Sequence, residues 1–217
     1  MILLGYILTF GWVFFIMAVT TVLKKLVGLG DEYSRKIIHI SVAFAWIPMC
    51  ICFGTTWHLL VPAVFFAVFN WLSYRFNLLS AMERQDEEKK SPGTVYYAVS
   101  MAVMAALCLW DNQFLAPYGI GMFCMALGDG LAPIVGGIEK GNVRLFRGRR
   151  SLYGTLTVFV VSLVVAAVMS AVFGLGYPVW KLLLLALGAT ALEFVGFKGF
   201  DNLTLPIGVC LLARLLL

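Results

Sequence analysis

An aspartate between two glycines, Gly128-Asp129-Gly130, lies inside an apolar run from Phe114 to Ile138 that is long enough to cross a bilayer. An ionised carboxylate at such depth costs about 2.5 to 3.5 kcal/mol even on lenient insertion scales, so it is expected to have a cation and a task. Separated segments offer companions: His39 near the start of one apolar run, Glu193 near the end of another, and Asp201-Asn202 just beyond it. Carboxylates such as Asp129, Asp201 and Glu193 are hard oxygen donors suited to Mg²⁺, which keeps waters and substrate phosphates in its shell. Arg144, Arg147, Arg149 and Arg150, with Gly148 and Gly154 allowing close backbone approach, suit the bidentate gripping of phosphate oxygens. Acids, a divalent ion and arginines together describe phosphoryl transfer. No Gly-x-x-x-x-Gly-Lys-Ser/Thr loop occurs, so any nucleotide site must be built differently.

The elements that carry these groups are membrane helices. Of the 217 residues, 62% are hydrophobic and only 12% charged, against about 25% charged in a soluble domain. Runs at about 2–23, 37–53, 57–77, 94–110, 114–138, 152–173, 179–197 and 203–217 approach the 17 to 25 residues of a crossing, the last least clearly. The expectation is an all-α polytopic membrane helix bundle of about seven to eight transmembrane helices, forming a single domain over 1–217. The first run, Ile2 to Leu23, lacks a basic leader and is too long for a signal core, so it is expected to stay as a helix.

Charge then orients the bundle. The connections at 54–56 and 111–113 carry no Lys or Arg, and with eight spans fourteen of the sixteen cations share one face, leaving Lys181 and Arg214 for the other. The positive-inside rule assigns the basic face to the cytoplasm and both termini outside. Asp129, His39, Glu193 and Asp201-Asn202 then fall near one inner-leaflet level, giving a cytoplasmic-side active site. Blander roles fit other polar groups: Asn70 as an interhelical hydrogen bond, Gly119 and Gly121 as close-packing positions, and His58 as an interfacial group at the outer end. The five cysteines lack paired spacing and read as small hydrophobes. Glu83 to Lys90 reads as a solvated linker or short surface helix.

Five stretches in order, Arg35-Lys-Ile-Ile-His39, Gly93-Thr-Val-Tyr-Tyr97, Gly128-Asp-Gly-Leu-Ala132, Arg150-Ser-Leu-Tyr-Gly-Thr155 and Asp201-Asn-Leu-Thr-Leu-Pro206, resemble the CTP-dependent polyprenol kinase family, which includes dolichol, phytol and farnesol kinases and a CTP-dependent diacylglycerol kinase. The resemblance implies transfer of the γ-phosphoryl group of CTP, as its Mg²⁺ complex, to the hydroxyl of a polyprenol, a phytol-like alcohol or diacylglycerol. It implies catalytic roles for Asp129, Asp201 and His39 and magnesium ligation by Asp129, Asp201 and Glu193. Nucleotide contacts fall to Arg149, Arg150, Ser151, Asn202, Lys36, Gly128, Gly130 and Gly154, and Thr94, Tyr96 and Tyr97 shape the base or alcohol pocket. The implied partners are CTP, a lipid alcohol and the bilayer, with no nucleic acid; self-association is compatible with it. The expected setting is a multi-pass membrane protein with its active site facing the cytoplasm, in the cytoplasmic membrane if the cell is bacterial or archaeal.

Two departures bear on nucleotide or acceptor choice: Tyr153 stands where relatives commonly carry an acid, and Gly136-Gly137 where they tend to show Gly-Arg. Asn202-Leu-Thr204 matches a glycosylation acceptor, yet its expected cytoplasmic position and Pro206 point to an unmodified side chain. Two alternatives remain at this stage, a membrane cytidylyltransferase making a CDP-lipid and a small cation-coupled transporter.

Overall fold

A computed structural model describes residues 1–76, 92–138, 144–145, 150–196 and 199–217, with 138, 144, 145 and 150 described as backbone alone. The expected linker at Glu83 to Lys90 lies outside them. Among the described residues ten α-helices follow in order: α1 Ile2–Val27, α2 Asp31–Ala43, α3 Trp46–Phe53, α4 Leu60–Phe76, α5 Gly93–Trp110, α6 Leu115–Phe123, α7 Gly130–Ile138, α8 Leu152–Val172, α9 Val179–Val195 and α10 Asp201–Leu215. A two-residue antiparallel pairing of Arg144–Leu145 with Arg150–Ser151 precedes α8. The chain is a polytopic all-α membrane bundle. Six helical stretches, the second being α2 with α3 and the fifth α6 with α7, are long and apolar enough to cross a bilayer. The last two, α9 and α10, are shorter, at 17 and 15 residues.

Two spans are interrupted for reasons visible in their residues. Pro48 lacks an N–H for the carbonyl of Phe44, which accepts from Ile47 instead, and this tightened turn separates α2 from α3. In the fifth span a π-helical turn, Cys124–Asp129, separates α6 from α7. Such turns are rare and concentrate at functional sites.

The core forms around α6, where every residue from Ala116 to Phe123 is buried. Its glycines let neighbours approach: a Cβ at Gly119 would meet Met169 and Trp46, and one at Gly121 would overlap the Pro206 carbonyl of α10. That is the close packing expected of Gly119 and Gly121, and small residues serve it in membranes, where lipid supplies no hydrophobic drive. On α8, Gly154, Val158, Ser162, Val165 and Met169 face inward while Val160, Val164, Val168 and Val172 face outward, the division expected of a bundle helix bathed in lipid.

The bundle has two distinguishable ends. At one, Lys24 of α1 pairs with Asp31 of α2 at 2.7 Å. At the other, Arg214 of α10 reaches Asp111 between α5 and α6 at 2.8 Å, and Lys181 of α9 bonds the Leu216 carbonyl. Tyr6 and His58 meet at 2.7 Å, and Asn70 of α4 donates to the Thr94 carbonyl of α5 at 3.0 Å, an interhelical bond as anticipated. All five cysteines are free thiols, three of them buried.

Candidate active site

α2 starts at Asp31, six residues before the expected 37, because Gly30 is extended at the N-cap and Asp31 and Glu32 favour the positive end of the helix dipole. Lys36 and His39 therefore lie three apart on one helical face instead of on a loop and a first turn. Both reach Asp129. The Lys36 Nζ is 3.0 Å from Asp129 Oδ2 and also donates to the Asp129 backbone carbonyl at 3.0 Å. His39 Nε2 is 3.6 Å from the same Oδ2, beyond hydrogen-bond reach, and has no hydrogen-bond partner. The ring packs edge-on to Tyr97, whose hydroxyl donates to the His39 carbonyl at 3.1 Å. Among the described residues Lys36 thus supplies a cation to the intramembrane acid. The side chains of Lys36 and Asp129 are only 16% and 13% exposed, so their attraction is little screened.

Glycine makes this approach feasible. A Cβ on Gly130 would stand 2.5 Å from Ile40 Cγ1 and 3.6 Å from the His39 ring, so its absence lets α2 lie against the acid. Gly128 faces Val158 and Ser162 at ordinary contact distance. Gly154 packs its Cα face on the Ala132 carbonyl and on Ser151. Ser151 itself caps α8, its Oγ accepting from the Gly154 N–H at 3.0 Å. These residues hold α7 against α8, directly behind Asp129.

From the other side, α10 begins at Asp201. Asn202 donates through Nδ2 to the Gly93 carbonyl at the start of α5, at 3.1 Å, leaving Oδ1 buried without a hydrogen-bond partner, and Phe200 stacks edge-on against Tyr96. Tyr97, one turn along α5 from Gly93, braces His39, so the segments carrying Lys36, His39, Asp129 and Asn202 meet at one end of the bundle. Glu193, 2% exposed, is near the end of α9. Among the described residues no three His, Cys, Asp or Glu side chains form a metal-holding group, so Asp129, Asp201 and Glu193 do not form one by themselves. A magnesium ion needs only one or two carboxylates when phosphates and water complete its shell, and these hard oxygens fit that lesser demand. Arg149 lies outside the described residues, as do Lys140 and Arg147, and of Arg144 and Arg150 only the backbone pairing is described. The π turn was not foreseen from sequence. A glycine-flanked acid followed by a proline inside one apolar run was its signal.

The chain is 34% identical over 195 residues to a phytol kinase of Synechocystis, an alignment covering 84% of this chain and 78% of that one. It is 29% identical over 206 residues to "Probable phytol kinase 2, chloroplastic" of Glycine max, covering 87% and 66%. Against "Probable phytol kinase 1, chloroplastic" of Oryza sativa it is 29% identical over 217 residues, covering 87% and 65%. The chain thus spans about two thirds of the length of those two plant relatives. No protein-family profile matches it, and no solved structure does.

Proposed function

The chain belongs to the polyprenol and phytol kinase family, and from that premise we propose that it is a membrane lipid-alcohol kinase that moves the γ-phosphoryl group of CTP to a phytol-like or polyprenol hydroxyl. The observation that carries this reading is the Asp129, Lys36 and His39 cluster on the π turn, at the end of the bundle where the motif segments meet. CTP as donor rests on the motif resemblance, and the phytol-like acceptor on the relatives' names.

In the reaction the alcohol oxygen bonds to the γ-phosphorus, the bridging bond to the β-phosphate breaks, CDP leaves and the hydroxyl proton is released. Asp129 Oδ2 and His39 Nε2, 3.6 Å apart, would be the acceptors for that proton. Lys36 brings a positive charge to within 3.0 Å of the acid, where the transferring phosphoryl charge would be met. Magnesium, when bound with the nucleotide, would take Asp129 with Asp201 and neutralise charge on the phosphates. The positive-inside rule, applied to the basic connections, supports a cytoplasmic face for this end, where a soluble nucleotide would meet an alcohol arriving sideways through the bilayer.

The test is product analysis with purified protein, pairing γ-labelled CTP, ATP and GTP with phytol, farnesol, undecaprenol, dolichol and diacylglycerol. Labelled lipid phosphate with CDP is expected; release of pyrophosphate, or no transfer from any pair, refutes the proposal. Asp129→Asn should slow transfer by about 10² to 10⁴, the range for a lost acid–base group.

A further inference from the structure

Asp129 offers Lys36 two oxygens, and the second has a specific origin. In an α-helix the carbonyl of residue 129 accepts from the N–H of residue 133. Residue 133 is proline, inside α7, and carries no N–H. The π turn ends at Asp129 itself, so the ordinary ladder is interrupted at that carbonyl. A mid-span proline is tolerated when a neighbour satisfies the carbonyl it strips of its donor. Here the neighbour is Lys36, whose Nζ sits 3.0 Å from Asp129 O and 3.0 Å from Oδ2.

We propose that Pro133 is a positioning residue of the active site: by withholding its N–H it turns the Asp129 carbonyl into the second half of a two-oxygen cradle that holds the Lys36 ammonium on the acid. This rests on the kinase reading for its consequence, though not for its geometry. A lysine held by one carboxylate oxygen can swing its long stem toward water. A lysine held by both a flexible side-chain oxygen and a rigid backbone oxygen has one position. Gly130 keeps α2 close enough for the stem to reach, and His39, one turn along the same face, stands 3.6 Å from the carboxylate. The proline therefore acts through Lys36.

Pro133→Ala supplies the missing N–H and lets it compete with Lys36 for the carbonyl. In nucleotide-free protein in detergent, Lys36 should then react with an amine-directed acylating reagent about three- to tenfold faster, the loss of one hydrogen bond of ordinary net strength, as read by peptide mass spectrometry. In the transfer assay kcat should fall by a similar factor with the KM for the alcohol within about twofold, while thermal stability holds or rises because the helix ladder is repaired. Lys36→Ala should cost less turnover in the Pro133→Ala background than in the parent. A merely structural proline would show the reverse pairing, lower stability and unchanged labelling. An unchanged Lys36 labelling rate overturns the proposal, and so does faster labelling with unchanged turnover. Failure of the unaltered protein to phosphorylate any alcohol would instead remove the kinase reading and leave the labelling comparison to be judged alone.

Discussion

Removing the ammonium from Lys36 while keeping its stem, as in Lys36→Met, leaves the Asp129 carboxylate without that partner at a site where both side chains are less than one-fifth exposed. At 3.0 Å and an effective dielectric constant near 20, the pair's attraction is about 5.5 kcal/mol before desolvation is subtracted. Breaking a buried pair from one side costs about 3 to 5 kcal/mol, and the lower figure suits a site at the end of the bundle. For a chain of this size that corresponds to a fall of about 6 to 12 °C in melting temperature. Asp129→Asn leaves a lysine that can reach toward water, so its cost is smaller, about 1 to 2 kcal/mol. The decisive protein is Lys36→Met/Asp129→Asn, in which both members of this pair are neutral; its stability should recover to within about 1 kcal/mol of the parent. Thermal unfolding of the four proteins in one detergent, with divalent ions chelated, yields a coupling energy of about 2 kcal/mol or more. Losses that add within about 0.5 kcal/mol would show that the two groups do not stabilise each other and refute the assignment of Lys36 as the acid's cation.

Gly130→Ala places a methyl 2.5 Å from Ile40 Cγ1, and should cost about 1 to 3 kcal/mol by overpacking while lifting Lys36 and His39 from Asp129. Ile40→Ala in the same chain should restore both melting temperature and turnover, and a persistent loss of turnover would assign Gly130 a role beyond making room. At the opposite end, the Gln113 N–H, and then the Arg214 guanidinium, hold the Asp111 carboxyl below its usual range. Its folded value is the lower one, so its contribution is present above the ordinary carboxylate value near 3.9 and lost as pH falls toward the depressed one. An acid-side melting series should therefore be steeper for the parent than for Asp111→Asn, and parallel curves would count against the Arg214 contact as a stabilising one.

Hydrophobic run length and the spacing of basic connections are local properties of a chain, which is why the polytopic helical class, and the gathering of His39, Asp129 and Asn202 at one end, were legible from residues alone. Asn70 and the glycines of α6 were legible too, because a lone amide or a small residue in an apolar helix has few uses there. Partner choice was not. That Asp129 meets Lys36 depends on how closely two helices approach, and that is set by Gly130 against Ile40, 90 residues apart in sequence. The early start of α2 put Lys36 and His39 on one face, and Ser151, expected at phosphate, took up a capping bond because its own helix began one residue later. The π turn also belongs to tertiary structure, since one added residue in a helical turn shifts the apolar stripe, and in a run apolar on every side that shift leaves no mark in the sequence.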